Sequence, residues 1–170
     1  MNILATQPTM AQVAVTTHHF DNARTGWNPH ESALSYAAMT QPAAGQAFGL
    51  LQAVALDAQV DAQPLVVPNV AIVGDPNAGS HDVVFVATEL NTVYAIDPTR
   101  GTVLSSRNFN SAVPHPIDCA NSPTTVGINS TPVIDVATNS MYLITYTDSS
   151  LPTYTLHRVS LSDFSDIAPP

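Results

Sequence analysis

The run DPNAGSHD, residues 75–82, places Asp75, Asn77 and Asp82 at short spacing around Gly79, the alternation of oxygen-bearing side chains that a hard cation such as calcium needs. It lacks the terminal bidentate glutamate of such loops and reads equally as a polar hairpin turn, which is the expectation for it. His18 and His19 with Asp21 could form a metal or acid–base cluster, because neutral imidazoles bind transition metals and a nearby carboxylate orients them. Neighbours on a strand point to opposite faces, so the two rings are not expected to reach one ion. Asp21, Asn22, Arg24 and Gly26 make the densest polar motif. An arginine there could recognise a carboxylate or a glycan, or stitch the N-terminal segment to a sheet by charge-assisted hydrogen bonds; stitching is expected. Ser130 and Thr131 lack the GxSxG elbow of a nucleophilic serine. Cys119 is the single cysteine, and only His115 stands near it as a possible cation. His30, His81 and His157 are scattered. No catalytic constellation emerges, so no catalytic residue is assigned.

The elements that would carry these residues repeat. VVFVATELNTVYAIDPTRG, 83–101, returns in weaker form as MYLITYTDSSLPTYTLHRVSLSDF, 141–164, and each copy follows a short proline-containing strand. Gln63, Pro64, Leu65 and Val66 correspond to Thr131, Pro132, Val133 and Ile134. Phe85, Val86 and Thr88 correspond to Tyr142, Leu143 and Thr145, and Val93, Tyr94 and Ile96 to Leu156, His157 and Val159. VVFVAT is a nearly continuous apolar run, which suits a strand buried on both faces; NTVYAID alternates, which suits one solvated side. Glu89, Leu90 and Asn91 are the expected connection between them. Asp97–Gly101 is the expected next turn, with Pro98 presetting φ and Gly101 accepting a positive one, before an outer strand TVLSSRNF.

Three segments follow from this pattern. Residues 1–48 read as an arm and an irregular stretch, with Val13 and Val15 alternating as one short strand or a frayed end of little weight in stability. Glu31–Met39 could form about two helical turns, capped by Asn28 or Ser32 and stopped by Pro42 and Gly45. Residues 49–112 read as a first four-stranded antiparallel unit, with strand character from Gly49 onward. Residues 113–170 hold a proline-rich loop and a second unit. The fold class is all-β and antiparallel.

Composition narrows the partners. Hydrophobic residues make up 45% of 170, enough for a core, and the formal net charge is −9. All four basic residues are arginines, at 24, 100, 107 and 158, and there is no lysine. Such a field repels phosphate backbones and anionic headgroups, so neither nucleic acid nor a membrane surface is an expected partner. The acidic, lysine-free, Thr/Ser/Asn-rich composition suits a secreted bacterial protein, periplasmic or extracellular, although the first twenty residues show no export signal. No run approaches the ~18 apolar residues of a membrane span.

FDNARTGWNPHESAL, ATELNTVYAIDPTRGTVL and GINSTPVIDVATNSMYLITYT with its following YTLHRVSL together resemble the pyrroloquinoline-quinone-type β-propeller repeat of the quinoprotein alcohol dehydrogenase-like superfamily. The likeness spans roughly Phe20 to Phe164. It implies antiparallel four-stranded blades. Propellers close with 4 to 8 blades, so two imply a partial propeller, the N-terminal part of a larger one or a split subunit, with SDFSDIAPP ending where the next blade's first strand would start. An open stack would expose apolar faces and strand edges, favouring a protein partner or self-association. The expected function is a non-catalytic binding or interaction platform. The alternatives are the N-terminal part of a quinoprotein-like dehydrogenase oxidising alcohols or sugars, using the quinone (PQQ) and calcium, or a carbohydrate-binding or hydrolase propeller. In that superfamily the quinone lies between a tryptophan and an adjacent-cysteine disulfide over calcium. This chain has one Trp, Trp27, and one Cys, so no cofactor residue transfers.

Overall fold

The computed structural model describes residues 13–31, 34–41, 49–74, 76–114 and 124–167. They are mostly β, in two antiparallel meanders, and they do not close into a barrel or a propeller. The first sheet contains β1 (Leu65–Ile72), β2 (Gly79–Ala87), β3 (Thr92–Asp97) and β4 (Thr102–Asn108), in that spatial order. A small hairpin of β5 (Val113–Pro114) and β6 (Thr125–Val126) follows, which the proline-rich loop did not suggest. The second sheet has three strands, β7 (Val133–Asp135), β8 (Ser140–Thr147) and β9 (Thr153–Ser160), rather than the four expected. No helix among the described residues is long and apolar enough to cross a membrane.

The two sheets share one register. Leu65 opposes Phe85 and Phe85 opposes Ala95 in the first; Val133 opposes Tyr142 and Tyr142 opposes Arg158 in the second. These are the positions that the repeat matches. The β3–β4 corner closes with the Gly101 amide donating to the Asp97 carbonyl (2.8 Å), and the Phe164 amide donates likewise to Ser160 (2.9 Å). In both corners the first residue's side chain also accepts from a backbone amide within the turn, Asp97 from Thr99 and Ser160 from Ser162. Gly101 has φ +64° and Phe164 has φ +57°, so an aromatic residue occupies the left-handed position that glycine fills at no steric cost. Past the corner, Asp166 bridges Val159 as Val103 pairs with Ile96. Residues 165–167 therefore lie where a fourth strand of the same sheet begins, a correction to the expectation that they precede a new unit.

The core lies between the sheets. The face of the first sheet bearing Leu65, Phe85, Val93 and Ala95 meets the face of the second bearing Ile134, Met141, Leu143 and Val159, all buried. Phe164, fully buried, packs edge-on against Phe85 with centroids 5.9 Å apart. Arg107 on β4 reaches across the seam, donating to the Phe164 carbonyl and bidentately to Asp166 at 2.9 Å, with its guanidinium over the Phe109 ring. His157 occupies the position matching Tyr94 and packs on Phe109, its ring bonded to the Thr145 hydroxyl; burial lowers its pKa.

Over residues 83–87 β2 is buried or half-buried on both faces, as its continuous apolar run predicts, but β3 is too, against the expected alternation. The cause lies in residues 49–64, which form no strand. They run as irregular chain over the outer face of the first sheet, where Asp57 accepts hydrogen bonds from the Thr88 and Thr92 hydroxyls and Gln52 donates to the Thr99 carbonyl. Burial and the Asp57 charge push the Tyr94 phenol pKa up. β1 carries Pro68 because its ladder with β2 slips between Val67 and Val70, a bulge in which the missing N–H costs no pairing. The N-terminal arm is also more engaged than expected: Val15 exchanges both backbone hydrogen bonds with Val66, and the Ile134 amide donates to the Thr16 carbonyl, so the arm spans both sheets. The helix shrinks to α1 (Tyr36–Thr40), capped by Ser35 rather than Asn28, whose side chain instead accepts from the His30 amide. Ser32, Pro42 and Gly45 lie outside the described residues.

Candidate functional site

Three places gather polar or exposed groups. The first is a cleft of about 260 Å³ at the β3–β4 corner, lined by Ser80, His81, Asp82, Asp97, Thr99 and Arg100. Asp97 is its hub: its Oδ1 accepts the Thr99 and Arg100 amides, and its Oδ2 faces the Arg100 guanidinium at 3.5 Å and His81 Nδ1 at 3.9 Å. These bonds hold the corner closed, and the other ring nitrogen of His81 is bonded to the Asn77 carbonyl. The arrangement offers hydrogen bonds to a polar ligand, but no hydroxyl is aligned on a base.

The calcium candidates lie on the neighbouring β1–β2 connection and the start of β2. Asp75 lies outside the described residues, as do His115 and Cys119. Asn77 donates through Nδ2 to the Leu104 carbonyl and Asp82 Oδ1 accepts the Asn69 amide, so both side chains brace the turn. Among the described residues no group of three or more His, Cys, Asp or Glu side chains is arranged to hold a metal.

The second place is the N-terminal turn. His18 and His19 are not on a strand: His19 and Phe20 have φ +56° and +77°, and the turn stacks the two rings 3.9 Å apart instead of splaying them. This corrects the strand-based geometry. The stack sits at the sheet edges, where the His19 amide donates to Gln63 and the Gln63 amide donates to the Thr131 hydroxyl. Desolvation and the neighbouring His19 and Arg24 lower the His18 pKa. Arg24 stitches within its own segment, to the Thr17 hydroxyl and the His18 carbonyl, rather than to a sheet. Asp21 bonds the Thr25 amide and hydroxyl, and these bonds lower its pKa. Trp27 is 67% exposed and Cys119 has no second cysteine in the chain, so the residues present do not fit the quinone site that the repeat resemblance implies.

The third place is the free face of the second sheet. Alternation puts Val133, Tyr142, Ile144 and Leu156 on the side away from the core, with Tyr146 and Tyr154 stacked at 4.2 Å and Arg158 over the Tyr142 ring at 5.7 Å. Val133 is 45% exposed, Ile144 42% and Leu156 69%. The equivalent positions of the first sheet, Leu65, Ala87 and Val93, are buried beneath the second sheet. Sequence alternation could have shown this face, since YLITYT and YTLHRV carry apolar residues on both sides of the strand. No protein family, curated protein or solved structure matches this chain.

Proposed function

We propose that the chain is a non-catalytic interaction module of the propeller type, and that the free face of its second sheet receives the back of another sheet of the same kind. The observation that carries this reading is the seam within the chain: the Leu65/Phe85/Val93 face of one sheet is covered by the Met141/Leu143/Val159 face of the next. The second sheet repeats the first face in register and leaves it open. An exposed apolar face of this kind marks an association surface. The covering sheet belongs to a longer chain or to a partner; the opposite end of the stack is already capped by residues 52–61 through Asp57.

The test is sedimentation velocity over a concentration series, alongside thermal unfolding. Ile144→Asp and Leu156→Asp together should abolish association and leave the unfolding midpoint unchanged, because both side chains are exposed. Association that persists in the double variant refutes the reading. Addition of the quinone and calcium with alcohols or sugars should give no dye-linked oxidation; turnover would instead support the dehydrogenase alternative, and specific retention on a carbohydrate array the glycan-binding one.

A further inference from the structure

The β2–β3 connection, read from sequence as an ordinary tight turn, is a buried polar point in the fold. Glu89 is 1% exposed and Asn91 is fully buried. Four separate stretches converge on them. The Glu89 amide donates to the Gln59 carbonyl and its Oε2 accepts from the Gly127 amide at 2.8 Å. Asn91 donates through Nδ2 to the Tyr146 carbonyl at 2.8 Å, and its own carbonyl accepts the Phe109 amide. The Ile128 amide donates to Thr88. The turn thus ties the first sheet to the capping segment, to the linker after β6 and to the end of β8.

Two oxygens in this knot, Glu89 Oε1 and Asn91 Oδ1, are buried and make no hydrogen bond. A buried carboxylate oxygen without a partner costs far more as an anion than as an acid. Among the described residues no cation compensates it. The four arginines are engaged elsewhere: Arg24 at Thr17, Arg100 at Asp97, Arg107 at Asp166 and Arg158 at Ser140. The charged groups that do face the turn are acidic. Asp57 sits on the Thr88 and Thr92 hydroxyls, and Asp61, which accepts from Gln59 at 2.6 Å, brings its carboxylate within hydrogen-bonding reach of Glu89. Of the described linker residues, Gly127 and Ile128 reach the turn through their backbone amides, and β8 contributes a backbone carbonyl. With a second carboxyl beside it and no cation among the described residues to offset it, the buried Glu89 carboxyl favours its protonated form.

We propose that Glu89 is kept as a neutral carboxylic acid that donates its proton from Oε1 to Asp61, and that loss of this proton loosens the seam between the two sheets. Desolvation is the largest influence and pushes the Glu89 pKa up; the Gly127 amide comes next and pulls it down, and the Asp61 charge and hydrogen bond push it up by lesser amounts. The direction of the pH effect follows. A folded-state pKa above the unfolded value of about 4.3 gives stability that is fully present below that value and disappears as pH rises through the folded one.

The experiment compares parent, Glu89→Gln and Asp61→Asn across pH by urea unfolding, with hydrogen exchange at the Gly127 and Ile128 amides. Glutamine keeps the shape, donates to Asp61 and cannot ionise. Glu89→Gln should therefore match the parent in acid and gain on it as pH rises, tenfold in folding constant for each unit between the two Glu89 pKa values. In the parent the two amides should lose protection, corrected for intrinsic exchange, as pH rises through the folded-state pKa of Glu89; in Glu89→Gln they should keep it. Asp61→Asn, at an exposed residue, should shift the parent's profile to lower pH. A pH-independent difference between parent and Glu89→Gln, or a glutamine variant weaker at neutral pH, overturns the proposal. So does a calcium-dependent rise in the parent's midpoint that Glu89→Gln abolishes, since a cation would then bridge the carboxylates.

Discussion

Phe164 offers the sharpest test of the packing. Its ring is fully buried against Phe85, yet its backbone sits at φ +57°, the conformation Gly101 adopts in the matching corner. Truncation to alanine removes the ring and its edge-on contact while keeping the Cβ in the left-handed region, so the loss should be that of a core Phe→Ala change, about 3–5 kcal/mol. Truncation to glycine removes the same ring but also the Cβ clash, worth about 1–2 kcal/mol. Glycine's extra freedom in the unfolded chain returns about 0.5–1 kcal/mol of that gain. Phe164→Gly should thus be the more stable variant by about 1 kcal/mol, reversing the usual order of alanine and glycine. Linear extrapolation of urea unfolding followed by far-ultraviolet circular dichroism reads both differences. A glycine variant equal to or weaker than the alanine variant would refute the corner geometry. Losses below about 1 kcal/mol in both would refute the burial.

Two further outcomes follow from the same seam. The Arg107 hydrogen bonds hold the Asp166 carboxyl below its ordinary pKa, so this pair contributes stability above the unfolded value of about 3.9 and loses it as pH falls. Asp166 is 66% exposed, which screens the pair to about 1 kcal/mol or less; Arg107→Leu should flatten that part of the acid limb in urea midpoints measured against pH, and an unchanged limb would dismiss the pair. At Gly127 a methyl group would stand 2.7 Å from the Glu89 carbonyl and 2.8 Å from both the Asn91 amide and its Oδ1. Gly127→Ala should therefore cost about 1–3 kcal/mol as overpacking, and a calorimetric midpoint equal to the parent's would show that the turn yields.

The strands were legible because their signal is local. Alternation and turn residues mark β1 to β4, and the matched pairs Phe85/Tyr142 and Ile96/Val159 carry over into identical registers. What escaped depends on neighbours distant in sequence. β3 looked half-solvated because nothing in NTVYAID announces that Asp57 will lie across it. Residues 49–64 have the composition of strands but spend their hydrogen bonds on capping, which propensity does not register. The His18–His19 geometry failed because two non-glycine residues take positive φ, a choice imposed by the turn and not by residue type. Glu89 was invisible as a site: a glutamate in a turn reads as solvated, and only the convergence of Gln59, Gly127 and Asp61 around it says otherwise.

The arm at residues 15–16 has an implication for the order of assembly. Its two partners, Val66 and Ile134, lie 51 and 118 positions away, so it has nothing complete to pair with until both meanders stand side by side. Loop-closure entropy makes such distant contacts late ones. This stretch, which precedes both sheets in the chain, therefore docks after them, as a latch drawn across a finished pair.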